Sequence, residues 1–180
     1  MPQLIEGFEN WSGGLPDYSP APAFGAWTAL SAVVSESASH VTQGAKSALI
    51  EKTGSDFTSS GLNPPLGLFL SAGRYQIDFY LENPGAGTTE FRLLFSGGVG
   101  NPSFSASSFT LNTQSTLTLD IADSGYFHVY IQLPFGTPVG SKVYVDNFRY
   151  DPIIALPTTK EFKLTKNIAS VLLDTILPVS

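Results

Sequence analysis

Glycine and proline cut this chain into pieces too short for most architectures, and the pieces alternate. There are 17 Gly and 13 Pro in 180 residues, and between them most segments place apolar and polar side chains in turn. Successive side chains of an extended strand point to opposite faces, so a period of two predicts half-buried antiparallel strands. In RYQIDFYLE, residues 74–82, Tyr75, Ile77, Phe79 and Leu81 share one face, while Arg74, Gln76, Asp78, Tyr80 and Glu82 share the other. YFHVYIQL, residues 126–133, repeats the design with Phe127, Val129, Ile131 and Leu133 inward and Tyr126, His128, Tyr130 and Gln132 outward. Residues 116–121 and 142–150 alternate similarly, and shorter patterns predict strands at 4–9, 27–35, 47–52, 66–70, 90–95 and 107–111. Short strands between Gly, Pro, Asn and Ser turns, with no helical periodicity before residue 160, predict an all-β jelly-roll β-sandwich of two antiparallel sheets. Residues 13–25 and 96–108 read as its long loops.

After Tyr150 the pattern stops. Pro152 and Pro157 break the chain, and three Lys offset Asp151, Glu161 and Asp174. This predicts a sandwich over residues 1–150 and a C-terminal arm over 151–180. Within the arm Ile168, Val171, Leu172, Thr175 and Ile176 recur at helical spacing, predicting a short amphipathic helix over 166–177 that stops before Pro178. Its apolar stripe has two uses open to it, folding back on its own sandwich or docking on another subunit. The second makes assembly neighbours, and a homo-oligomer, expected partners through residues 151–180.

Composition removes several functions. Cysteine is absent, which excludes disulfide frameworks, cysteine zinc sites and thiol catalysis. Nine basic against fifteen acidic residues give a net charge of -6, which argues against a nucleic-acid partner. No apolar run reaches the roughly 18–20 residues of a membrane span, and MPQLIEGFENW lacks the pattern of a secretory signal. The expected location is the cytoplasm of the producing cell, or a virion. His40 and His128 are the only histidines, and no GxSxG motif is present. Asp78 and Glu82 share a strand face and offer the two carboxylates a glycosidase needs, but strand carboxylates are ordinarily the polar half of the alternation. No catalytic residue is expected.

Three short segments carry a resemblance: IEGFEN at 5–10, VTQGAKSALIEKTG at 41–54 and VYVDNFRY at 143–150. In this order they resemble the jelly-roll carbohydrate-binding modules with a galactose-binding-like sandwich, over residues 4–151. The resemblance implies a structural calcium ion held by Glu9 and Asp146, from the first and last strands, with main-chain carbonyls from Gly44 to Ser47. Two carboxylates plus carbonyls suit a hard ion that takes six to eight oxygens; Lys46 is the alternative counter-charge. The resemblance also implies a sugar-binding sheet face, for which Tyr80, Arg92, Tyr126, His128, Tyr130 and Gln132 are the outward-facing candidates, with Arg74, Gln76 and Asp78 adjacent. Trp11 and Trp27 are expected at the edge of the core. Free-standing sandwiches of this kind also resemble bacteriophage virion proteins, such as capsid decoration and tail or baseplate modules. The leading expectation is therefore a non-catalytic virion component. The alternative is a free-standing carbohydrate-binding module or adhesin, and a glycan-active enzyme ranks third.

Overall fold

The computed structural model describes residues 3–16, 27–54, 60–63, 68–83, 85, 87–97 and 102–152. The expected arm helix lies outside the described residues. Strands β1 (Gln3–Glu6), β2 (Trp11–Ser12), β3 (Leu15–Pro16), β4 (Thr28–Leu30), β5 (Ala32–Ser37), β6 (Ser47–Lys52) and β7 (Ser60–Asn63) come from the first part of the chain. They are followed by β8 (Leu68–Leu70), β9 (Gly73–Glu82), β10 (Phe91–Gly97), β11 (Phe104–Ser108), β12 (Ser115–Ile121), β13 (Gly125–Leu133) and β14 (Lys142–Asp151). Sheet one runs β12-β9-β14-β6-β5, with β1 also paired to β14; sheet two runs β11-β10-β13-β7-β4, with β8 also paired to β13. The pairings within both sheets are antiparallel. The expected jelly-roll β-sandwich is the observed fold.

The alternation in the sequence is the layering of the molecule. Tyr75, Ile77, Phe79 and Leu81 of β9 are buried, and so are Phe127, Val129, Ile131 and Leu133 of β13. Rings from the two sheets meet between them: Phe79 lies 4.8 Å from Phe91, and Tyr75 stands edge-on to Phe95 at 5.0 Å. Truncating such a buried phenylalanine to alanine costs about 3–5 kcal/mol, because lost burial and a residual cavity add.

The shorter strands depart from expectation where local pattern carried little. Residues 27–35 form two strands, because Ser31 adopts a left-handed conformation (φ 46°) and sends the chain from one sheet to the other. β4 pairs with β7 in sheet two, and β5 pairs with β6 in sheet one. The strand expected at 107–111 lies at Phe104–Ser108 instead, in a serine-rich stretch with almost no periodic signal. The first strand ends at Glu6 rather than residue 9. Part of the loop expected at 13–25 is a hairpin, in which Trp11 pairs with Pro16 around Gly13 and Gly14, both at positive φ. Two consecutive left-handed residues define the tight turn that matches strand twist, and Gly-Gly is its ordinary sequence signal.

Candidate functional site

Three places hold the residues singled out above, beginning with the junction of first and last strands. β14 pairs with β6 as far as Val145 and with β1 from Phe148. Between them the register shifts and Asn147 takes φ 50°. A bulge of this kind re-aims a side chain. Here it sends the fully buried Asp146 carboxylate to the loop between β5 and β6, where Oδ2 accepts from the backbone N–H of Thr42 (2.6 Å) and Gln43 (2.8 Å). Oδ1 accepts from the N–H of Asn147 at 2.6 Å. Glu9 grips the same loop further on, its Oε1 accepting from the N–H groups of Ala45 (2.8 Å) and Lys46 (3.0 Å). Gly44 sits at φ +77°, with the Glu9 carboxylate in the space that any Cβ would fill.

Glu9, Gly44 and Asp146 therefore converge as the resemblance implies, but the polarity of the junction does not fit a cation. Calcium needs several inward oxygens, whereas this loop turns N–H groups toward both carboxylates. Ser47 directs its hydroxyl to the carbonyl of Ser39 (2.7 Å). Among the described residues no group of three or more His, Cys, Asp or Glu side chains is placed to hold a metal. Lys46 pairs with Glu36 at 2.9 Å, so the Glu9 partner is the Lys46 backbone rather than its ammonium. Burial pushes the Asp146 carboxyl above the usual carboxylate range, against the pull of its backbone donors.

The second place is the outer face of sheet one. Asp78 accepts hydrogen bonds from Thr116 (2.7 Å), Asn147 (2.9 Å) and Thr42 (3.0 Å), and pairs with Arg149 at 3.0 Å. Burial alone would raise its carboxyl, but the donors from Thr116, Asn147, Arg149 and Thr42 together hold it below the usual range. It is thus a poor proton donor near neutral pH, the opposite of what a glycosidase acid needs. Tyr80 lies on this face, covered by His40, whose ring stacks on it at 3.6 Å and 14° and approaches Tyr144 at 4.6 Å. The expected set is thereby divided: Tyr80 stands on one sheet, and Arg92, Tyr126, His128, Tyr130 and Gln132 on the other. Alternation reports that a residue points outward, not which sheet its strand joins.

The third place is the outer face of sheet two. The β10–β13 register sets Arg92 opposite Gln132, Leu94 opposite Tyr130, and Ser96 opposite His128; Gln132, expected to face outward, is instead buried where β7 packs beside β13, so it is not part of the open face. The Arg92 guanidinium is oriented by Glu90 at 3.0 Å. At the end of the row Tyr126 and Phe69 are paired across β13 and β8, their rings edge-to-face at 5.3 Å. Tyr126 is 64% exposed and Phe69 58%. Phe69 was not singled out from the sequence. Its strand is three residues long, and only the pairing with β13 shows which rings it joins.

No protein-family model and no curated protein matches the sequence. Solved structures of similar fold do. A charge-changing mutant of a family 29 carbohydrate-binding module superposes with a TM-score of 0.53 at 13% identity, over 83% of this chain and 90% of that one. A family 29 module without a stated mutation gives 0.52 at 12% identity, over 83% and 87%. A further mutant, complexed with mannohexaose, gives 0.53 at 13%, over 83% and 90%. At these identities the likeness is one of fold. The structures named here are binding modules rather than virion components, and the arm on which the assembly role and the homo-oligomer rest lies, beyond residue 152, outside the described residues.

Proposed function

We propose that this chain is a non-catalytic carbohydrate-binding module that lays a glycan across the outer face of sheet two. The observation that carries the reading is the exposed Phe69–Tyr126 ring pair, in line along β13 with His128 and Tyr130. Rings offer flat apolar surface to the C–H face of a sugar, while fixed polar side chains take its hydroxyls. At about 3.4 Å per residue, Tyr126 and Tyr130 stand roughly 14 Å apart along the strand, a span that calls for a chain of sugars rather than one ring. The fold shared with family 29 modules supports the same reading, and their complexes with mannohexaose and cellulohexaose make those hexasaccharides the first ligands to titrate. The non-catalytic reading is supported by Glu90, whose carboxylate is engaged by Arg92, whereas glycoside hydrolysis uses two facing carboxyl groups, one of them poised as an acid.

Calorimetric titration of the intact chain, followed by the Tyr130→Ala and Arg92→Ala variants, tests this. Binding should be lost in both and retained in Tyr80→Ala. If the wild-type chain binds neither hexasaccharide and captures nothing on a glycan array, the proposal is wrong.

A further inference from the structure

The β2–β3 hairpin leans on the edge strand β5, and between them opens a cleft of about 380 Å³ lined by Trp11, Gly14, Val34, Ser35 and Glu36. It belongs to neither sheet face. We infer that this cleft is a second carbohydrate site, one that takes a single pyranose end-on, stacked on Trp11. The inference rests on the reading of the chain as a glycan binder and adds a site that the sheet face does not include.

Three features define the ligand class. Trp11 is half-buried against the core, and its indole N–H donates to the carbonyl of Phe8 at 2.7 Å. The ring is thus locked in orientation, its donor already spent, and what it presents to the cleft is apolar ring surface. Gly14 (φ +81°) has nothing within 4 Å of where a Cβ would sit, so the hairpin tip leaves its side of the cleft open. Glu36, on the opposite wall, is paired with Lys46 at 2.9 Å.

That ion pair decides the charge of the occupant. A cationic ligand must displace the Lys46 ammonium from Glu36, and an anion must approach the Glu36 carboxylate. A neutral ligand carrying adjacent hydroxyls avoids both costs, because one hydroxyl donates to Glu36 while its neighbour accepts from the Lys46 ammonium paired with it. Apolar C–H surface on one side and vicinal hydroxyls at the rim describe a pyranose. The cleft lies toward the small end of the 300–1,000 Å³ typical of ligand pockets, which suits a terminal sugar or monosaccharide.

The chain has two tryptophans, and Trp27, buried and donating to Glu6 at 3.3 Å, serves as an internal reference. Methyl glucoside, methyl mannoside and methyl galactoside are titrated into the ¹⁵N-labelled full-length protein while both indole N–H resonances are followed. At least one glycoside should move the Trp11 resonance and leave Trp27 in place. Glu36→Gln, an exposed substitution that spares the fold, should weaken that response about tenfold, as loss of a charge-assisted hydrogen bond does. Tyr130→Ala should leave it unchanged while abolishing hexasaccharide binding. Choline and sulfate, the charged controls, should move nothing. The inference is overturned if no glycoside shifts Trp11, if the shift survives Glu36→Gln undiminished, or if choline or sulfate shifts it in place of the sugars. Hexasaccharide binding lost in Tyr130→Ala without any Trp11 response would refute the cleft and leave the sheet-face reading intact; the converse pattern would do the reverse.

Discussion

The two outer faces of the sandwich are built from the same alternation and finish in opposite conditions. On sheet one Asp78 is surrounded by Thr42, Thr116, Asn147 and Arg149, and Tyr80 lies under His40. Its hydrogen-bonding capacity is turned inward, to hold a loop and a bulge. On sheet two the Tyr126 and Phe69 rings meet edge-to-face and remain exposed, and the strand beside them leads to an arginine oriented by Glu90. Polar-out patterning does not by itself distinguish a working surface from a structural one. The difference lies in which side chains still have partners to find.

Substitutions should separate the faces sharply, with the largest effect at the junction behind sheet one. Asp146→Ala removes the shared acceptor of the part-buried N–H groups of Thr42, Gln43 and Asn147, and a loss of about 1–3 kcal/mol is expected in urea unfolding. A loss below about 1 kcal/mol would mean the loop finds other acceptors and the junction is not a latch. Next come the binding variants on sheet two. Tyr130→Ala should abolish measurable hexasaccharide binding and Tyr126→Ala should lower the affinity by about tenfold or more, equivalent to ~1.4 kcal/mol, with urea midpoints nearly unchanged. A stability loss matching that of Asp146→Ala would make this face structural as well and erase the contrast.

Acid should then reveal the opposite signs of the two buried aspartates. Asp78 is held below the usual carboxylate range, so the stability it contributes is present above about pH 4 and is lost as pH falls through its lowered value. The gap in melting temperature between wild type and Asp78→Asn should shrink between pH 6 and pH 3. Asp146 is pushed up, so its contribution is present below the ordinary value and lost as pH rises through the raised one. Relative to Asp146→Asn, the wild type should therefore gain on acidification. Thermal melts of both variants across that range check the pair of signs, and a common sign would contradict the description of the junction. The smallest expected effect is that of calcium. With N–H groups facing both carboxylates, melting in excess calcium and in chelator should agree to about a degree. A site filled at a hundred times its dissociation constant would add ~2.7 kcal/mol instead, and a shift of that size would mean the 41–46 loop turns its carbonyls inward.

Period-two alternation made the interior of the long strands readable without coordinates. Every inward residue expected on β9 and β13 is buried, and β6 occupies the predicted 47–52. The resemblance implied Glu9, Gly44 and Asp146 as calcium ligands; the structure has the two carboxylates accepting from N–H groups of the 42–46 loop instead. What the sequence withheld is non-local or nearly patternless. Tyr80 and Tyr130 look alike as letters, and only the pairing of β9 with β12 and of β13 with β10 puts them on different sheets. SGLN at β7 and FSASS at β11 carry no alternation strong enough to announce a strand. The hairpin could have been found from WSGGLP, whose paired glycines are a turn signal, but it was hidden inside a longer Pro-rich stretch. Whether the 41–46 loop would offer N–H or C=O groups depends on backbone orientation, which residue types alone leave open.

β14 occupies the middle of sheet one, with β9 along one side and β6 then β1 along the other. Its partners are made long before it during synthesis. Until residue 151 has left the ribosome, those three strands have no common neighbour, and their unpaired edges are available to any other chain. A ribosome stall or a stop codon within 142–151 should therefore release an aggregation-prone product rather than a shortened binding domain, and slow translation through this stretch would prolong the same exposure.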